Sequence, residues 1–113
     1  MEEKIITVKI KDIAESPLKL RLVANMVRGK VAGEALEILT LVTKKGAVTV
    51  KKAVMSGIAN AREKYGVDKD ALIISKISVD EARTLKRTRF ESRGRVSRID
   101  KRRSHINLEL KVK

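Results

Sequence analysis

Cysteine is absent from this 113-residue chain, which excludes disulfides, thiolate metal sites and a cysteine nucleophile. Tryptophan is absent too, and Tyr65 and Phe90 are the only aromatics. That scarcity removes the stacking platforms on which many RNA-binding modules hold bases. Any nucleic-acid contact must therefore rest on phosphate and shape. His105 is the one histidine; with no second histidine and no thiol it has no companions for a metal site. On the strand face opposite Ile106 and Leu108 it reads as a polar surface residue or an RNA contact. No apolar run approaches the roughly 18 residues that span a bilayer. The opening MEEKIITVKIKD carries two acids and then alternates, unlike a signal peptide. The chain reads as soluble and cytoplasmic, or assembled into a particle.

What is present in excess is positive charge, with 27 Lys and Arg against 14 Asp and Glu, a net +13. The surplus is concentrated. Between Arg83 and Arg103 ten basic residues face only Glu91 and Asp100, a segment too charged and too poor in large apolar residues to build a core. Such a segment needs a polyanion to neutralise it, and a nucleic-acid backbone is the natural candidate. The rest of the chain is one domain by length, with an aliphatic and alanine core.

Periodicity orders that remainder. Ile6, Val8 and Ile10 alternate with polar residues as in a half-buried strand. Ser16 and Pro17 form a helix start, cap then first turn; the helix runs to Arg28, with Leu18, Leu22 and Met26 as its apolar face, Val23 flanking it and Gly29 as its stop. A second helix is expected over 31–40, built on Ala35, Leu36 and Leu39 and broken by Lys44-Lys45-Gly46. A third follows Ala47, Val50, Val54, Ile58, Ala61 and Tyr65, with Ala53 and Gly57 permitting close approach and Gly66 and Asp68 closing it. A strand is expected over 71–79 with Ile73, Ile77 and Val79 on one face. The last strand alternates Ile106, Leu108, Leu110 and Val112.

The basic segment thus lies between two strands, which predicts a hairpin and not a tail. Gly94, between Arg93 and Arg95, supplies the positive φ that a tight turn needs. Lys19, Arg21, Arg28 and Lys30, with Lys44, Lys45, Lys51 and Lys52, lie at or near helix ends and could meet phosphates across adjacent elements. Asp80 and Glu81 are neighbours in an extended chain, point to opposite faces, and are expected to pair with arginines at the hairpin base. No phosphate-cradling glycine loop, zinc spacing or nucleophile elbow is present. The inventory points to a binding protein, with no catalytic residues, no metal and no cofactor.

The blocks SPLKLRLVANMVRGK, EALEIL, SGIANA, VDEARTLKR and RGRVSRIDKRRSHI, at these spacings, closely resemble the large-subunit ribosomal protein L twenty-two family from Ser16 to Leu110. The resemblance implies an α+β fold: a three-stranded antiparallel sheet packed with three helices, plus a long protruding basic β-hairpin. It implies one domain over 1–113, with a body of about 1–82 and 104–113 and a hairpin of about 83–103. Its implied partners are large-subunit ribosomal RNA, neighbouring large-subunit proteins and the nascent polypeptide. The implied role is structural, in subunit assembly, with the hairpin along the nascent-peptide exit tunnel of a cytoplasmic subunit. Lys86, Arg87, Arg98, Lys101, Arg102 and Arg103 match basic family positions expected to contact rRNA. Arg89, Phe90, Glu91, Arg93, Gly94 and Arg95 would form the tunnel-lining tip. Leu18, Leu20, Ala82-Arg83, Phe90 and Glu91 depart from the family pattern. The rival class is a free-standing basic RNA chaperone or nucleic-acid-binding regulator, although no base-reading recognition helix is evident.

Overall fold

The computed structural model describes residues 4–82 and 103–113, together with the strand pairing of residues 85–90 and 96–101. The order is β1 (Ile5–Ile13), α1 (Pro17–Val27), α2 (Ala32–Leu41), α3 (Lys45–Tyr65), a 3-10 turn (Lys69–Ala71), β2 (Leu72–Glu81), β3 (Leu85–Phe90), β4 (Val96–Lys101) and β5 (Ser104–Val112). Strands β1, β5 and β2 form an antiparallel sheet with the last strand in the middle, and β3 and β4 form a second, two-stranded sheet. The expected α+β layout is the one found.

The central position of β5 explains its clean alternation. Ile106, Leu108 and Leu110 are fully buried under the helices, while the residues between them face the other side of the pleat. Helix α3 packs on β1 and β5, and α1 on β2. The α3 face is the expected one, with Ala47, Val50, Ala53, Val54, Ile58 and Ala61 all in the core. A Cβ on Gly57 would lie 2.6 Å from Leu110 Cδ1 and 3.2 Å from Val8 Cγ2; the missing side chain is what lets the helix sit on the sheet. Gly66 ends α3 in the left-handed region at φ 65°, and Ser16 caps α1 by accepting the Lys19 N–H.

Three expectations need correction. Helix α1 buries Leu20, Val23, Ala24 and Val27, whereas Leu18, Leu22 and Met26 are 68, 49 and 41% exposed. A row with only i+4 spacing drifts around a helix by about 40° per step. The i+3/i+4 set makes a stripe two residues wide, and that stripe covers a sheet. In β2 the irregularity between Ile74 and Lys76 flips the alternation, so that Leu72 and Ile74, then Ile77 and Val79, face the core and Ile73 does not. An extra residue, Ser75, is accommodated there, its hydroxyl donating to the Glu109 carbonyl; such a bulge is invisible to a strict period of two. Lys45 and Gly46 do not break the chain but open α3; α2 has already stopped, with Val42 as its cap. Asp80 accepts from Asn107 Nδ2 at 2.7 Å; the side chains of Arg83, Arg87 and Arg102, the hairpin-base arginines with which Asp80 and Glu81 are expected to pair, lie outside the described residues.

Candidate nucleic-acid interface

The separate sheet β3–β4 carries the basic segment. Its register pairs Leu85 with Lys101, Lys86 with Asp100, Arg87 with Ile99, Thr88 with Arg98, Arg89 with Ser97 and Phe90 with Val96. Basic positions therefore occur along both strands of the ribbon, opposite neutral residues except where Lys86 meets Asp100. The side chains of these strands, and Arg83, Glu91, Arg93, Gly94, Arg95 and Arg102, lie outside the described residues. The expected tip and its glycine turn fall in that set.

The ribbon is continuous with the body through β2 and β5, which are still paired at Glu81 and Ser104; the Ala82 N–H then donates to the Arg103 carbonyl at 2.9 Å. Side chains hold this root from two directions. On the β2 side, Arg21 directs Nε and Nη2 at the Val79 carbonyl, at 3.1 and 2.9 Å. Arg28 Nη2 donates to the Ile77 carbonyl at 2.7 Å, and Nη1 to Asn25 Oδ1. The turn after α1 continues the seal: Gly29 N–H donates to the Ile74 carbonyl, and Ile74 N–H to the Lys30 carbonyl, both at 2.9 Å. These are the outward-facing groups of an edge strand, which need partners that β5 cannot supply.

On the β5 side, the chain after β1 makes the contacts. Asp12 has φ 55°, a conformation Asp tolerates better than most residues. Its N–H donates to His105 Nδ1 at 3.1 Å and its carbonyl accepts from Arg103 Nη2. That bond requires His105 Nδ1 to carry no proton, so the neutral ring keeps its hydrogen on Nε2. Ser104 is completely buried, and its hydroxyl donates to the Glu15 carbonyl at 2.6 Å. Asp12, Glu15 and Ser104 carry no mark in the sequence; a single acid or serine in a polar stretch gives no signal until the fold pairs it.

The remaining cations divide. Lys19 joins Lys44 and Lys45 around a surface cleft floored by Ala14, Leu22 and Gly46, between the starts of α1 and α3. The one carboxylate there, Glu15, accepts a hydrogen bond from Thr49 at 3.0 Å. Lys51 and Lys52 lie farther along α3, Lys51 half-buried and Lys52 exposed, and Lys30 lies beyond the other end of α1. None of these six lysines is in a side-chain hydrogen bond or ion pair among the described residues, in contrast to Arg21, Arg28 and Arg103. An ion pair of Arg62 with Asp68 at 2.7 Å closes the end of α3. The hydrogen bond from Arg62, helped by the Lys69 N–H, holds the Asp68 carboxyl below its ordinary value. Among the described residues no cluster of His, Cys, Asp or Glu could hold a metal ion, and no helix is long and apolar enough to cross a membrane.

Two comparisons bear on this arrangement. The family model for ribosomal protein L22p/L17e matches residues 8–111, from β1 through the ribbon to the end of β5. The large ribosomal subunit protein uL22 of Buchnera aphidicola subsp. Cinara cedri (strain Cc) is 46% identical over 102 residues, covering 90% of this chain and 82% of that relative. A match that takes in the sheet, the three helices and the basic ribbon together leaves no element of the fold outside it, and the chain belongs to the ribosomal protein L22p/L17e family.

Proposed function

We propose that this chain is a structural, non-catalytic constituent of the large ribosomal subunit, where it binds large-subunit rRNA and supports assembly. The observation that carries the reading is the basic ribbon: a two-stranded sheet separate from the body, within a segment holding ten of the 27 Lys and Arg. The partner that suits +8 over twenty-one residues is a phosphate backbone. Arginines pair phosphates bidentately and without dependence on sequence, which suits a protein that bridges RNA segments by shape.

The residues assigned to rRNA are Lys86, Arg87, Arg98, Lys101 and Arg102 on the ribbon, with Lys19, Lys30, Lys51 and Lys52 on the body. Lys44 and Lys45 extend the Lys19 site. By the family resemblance the ribbon would run along the nascent-peptide exit tunnel, with Arg89 to Arg95 at its wall. The nascent chain and neighbouring subunit proteins are then further partners, and the setting is cytoplasmic. Body and ribbon act as one domain over residues 1–113.

The test is sedimentation. Tagged chain expressed in bacterial cells should remain with large subunits in stoichiometric amount after a wash in about 0.5–1 M salt, because many screened contacts and a threaded ribbon release slowly. Complete loss into the supernatant, with the chain free or on heterogeneous RNA, would point instead to a free-standing basic chaperone.

A further inference from the structure

Four of the expected rRNA ligands, Arg21, Arg28, Arg103 and His105, lie about the ribbon root, yet each has a side-chain nitrogen hydrogen-bonded to the protein's own backbone. Their partners converge in a particular way. A single stretch of chain, from Asp12 to Arg28, touches both strands as they leave the body. Its first part, Asp12 to Glu15, is tied to Arg103, Ser104 and His105 of the β5 side. Its last part, Arg21 to Arg28, is tied to Val79 and Ile77 of the β2 side.

We propose that residues 12–28 form a collar around the root of the ribbon, and that Arg21 and Arg28 are positioning residues that set the ribbon's direction, not phosphate ligands. Three physical points carry this. The two guanidiniums satisfy carbonyls two and four residues before Glu81, where β2 ends, so they stiffen the strand that continues into the ribbon. Arg21 reaches Val79 with two of its N–H groups on one oxygen, a geometry that the planar fork supplies and an ammonium does not. The opposite strand is held a few residues nearer the ribbon, at Arg103 and Ser104 opposite Ala82 and Glu81, by the Asp12 and Glu15 carbonyls, so that the root cannot pivot about β2 alone. An isolated two-stranded ribbon is marginal in water; a clamped root lowers the ordering cost when the ribbon meets RNA. This inference rests on the rRNA-binding reading above.

The experiment measures affinity for a large-subunit rRNA fragment from 50 to 400 mM salt, with folding followed by circular dichroism. Four chains are compared: the unaltered one, Arg21→Gln/Arg28→Gln, a ribbon-neutralised Lys86→Gln/Arg87→Gln/Arg98→Gln/Lys101→Gln, and the combination. Positioning residues predict that the arginine pair weakens binding about three- to tenfold through lost preorganisation, with the log–log salt slope within about 0.3 of the unaltered value. In the ribbon-neutralised background the same pair should change affinity less than about twofold, because the residues act through the ribbon. A slope that falls by about 0.9 for each arginine, or an equal loss in both backgrounds, overturns the proposal. The pair Arg21→Lys/Arg28→Lys keeps the charge and loses the fork; it should behave like the glutamine pair, and recovery of unaltered affinity also overturns the proposal. Should the glutamine pair fail to fold, the lysine pair decides. A flat salt response of the unaltered chain contradicts the rRNA reading itself, and this inference with it.

Discussion

Gly57 lies where α3 rests on Leu110 of the central strand, and an added side chain there would need displacement. Leu110, whose Cδ1 would be 2.6 Å from an added methyl, is itself fully buried and cannot swing into solvent. Alanine gains up to about 1 kcal/mol of helix propensity over glycine, whereas overpacking a filled core costs about 1–3 kcal/mol. Gly57→Ala should therefore lower the urea midpoint by the equivalent of about 1 kcal/mol, with the m-value unchanged; a gain in stability would mean that the helix can ride up at no cost. This position was legible in the sequence because Gly57 lies on the face defined by Val50, Val54 and Ile58. The arginines were not. Arg21 and Arg28 read as free surface cations, and nothing in the chain announces that their guanidiniums face the carbonyls of a strand some fifty residues later. Long-range satisfaction of an edge strand leaves no local pattern.

At the scale of elements, helix starts and stops were the most readable features, since capping chemistry is local: Ser16-Pro17 opens α1 and Gly66 ends α3 as expected. Which face of α1 turns inward is not legible in the sequence, because the helix has two apolar stripes and only the sheet chooses between them. The bulge in β2 was hidden for a related reason, as its extra residue is defined by the partner strand. The end of α3 gives a pH-dependent prediction. Asp68 has its carboxyl held below the ordinary value of 3.8, first by the Arg62 hydrogen bond and then by the Lys69 N–H. A depressed folded-state value contributes stability that is fully present above the unfolded value and lost as pH falls through the folded one. The melting temperature of Asp68→Asn should thus lie slightly below that of the unaltered chain at pH 7, and the gap should close between about pH 4 and pH 2. The group is fully exposed, so the effect is small; a gap that widens in acid would contradict the assignment.

For the molecule as a whole, the sequence told more about partner than about packing. Ten cations in twenty-one residues are readable as a polyanion site without any structure, and two flanking amphipathic strands make that site a ribbon. The core of the described residues, by contrast, is built by the helices and the three-stranded sheet. Removing Leu85 to Arg87 should accordingly leave the body folded, with a melting temperature within about 4 °C of the unaltered chain; loss of cooperative unfolding would place those residues in the core. The central claim is that rRNA holds this protein through many phosphate contacts, and the salt dependence of affinity for a large-subunit rRNA fragment tests it most directly. With about 6–10 phosphates engaged, binding should weaken by about 10³–10⁵ between 50 and 200 mM salt. A response of less than about tenfold over that range, at most one or two phosphates by the same relation, would contradict it.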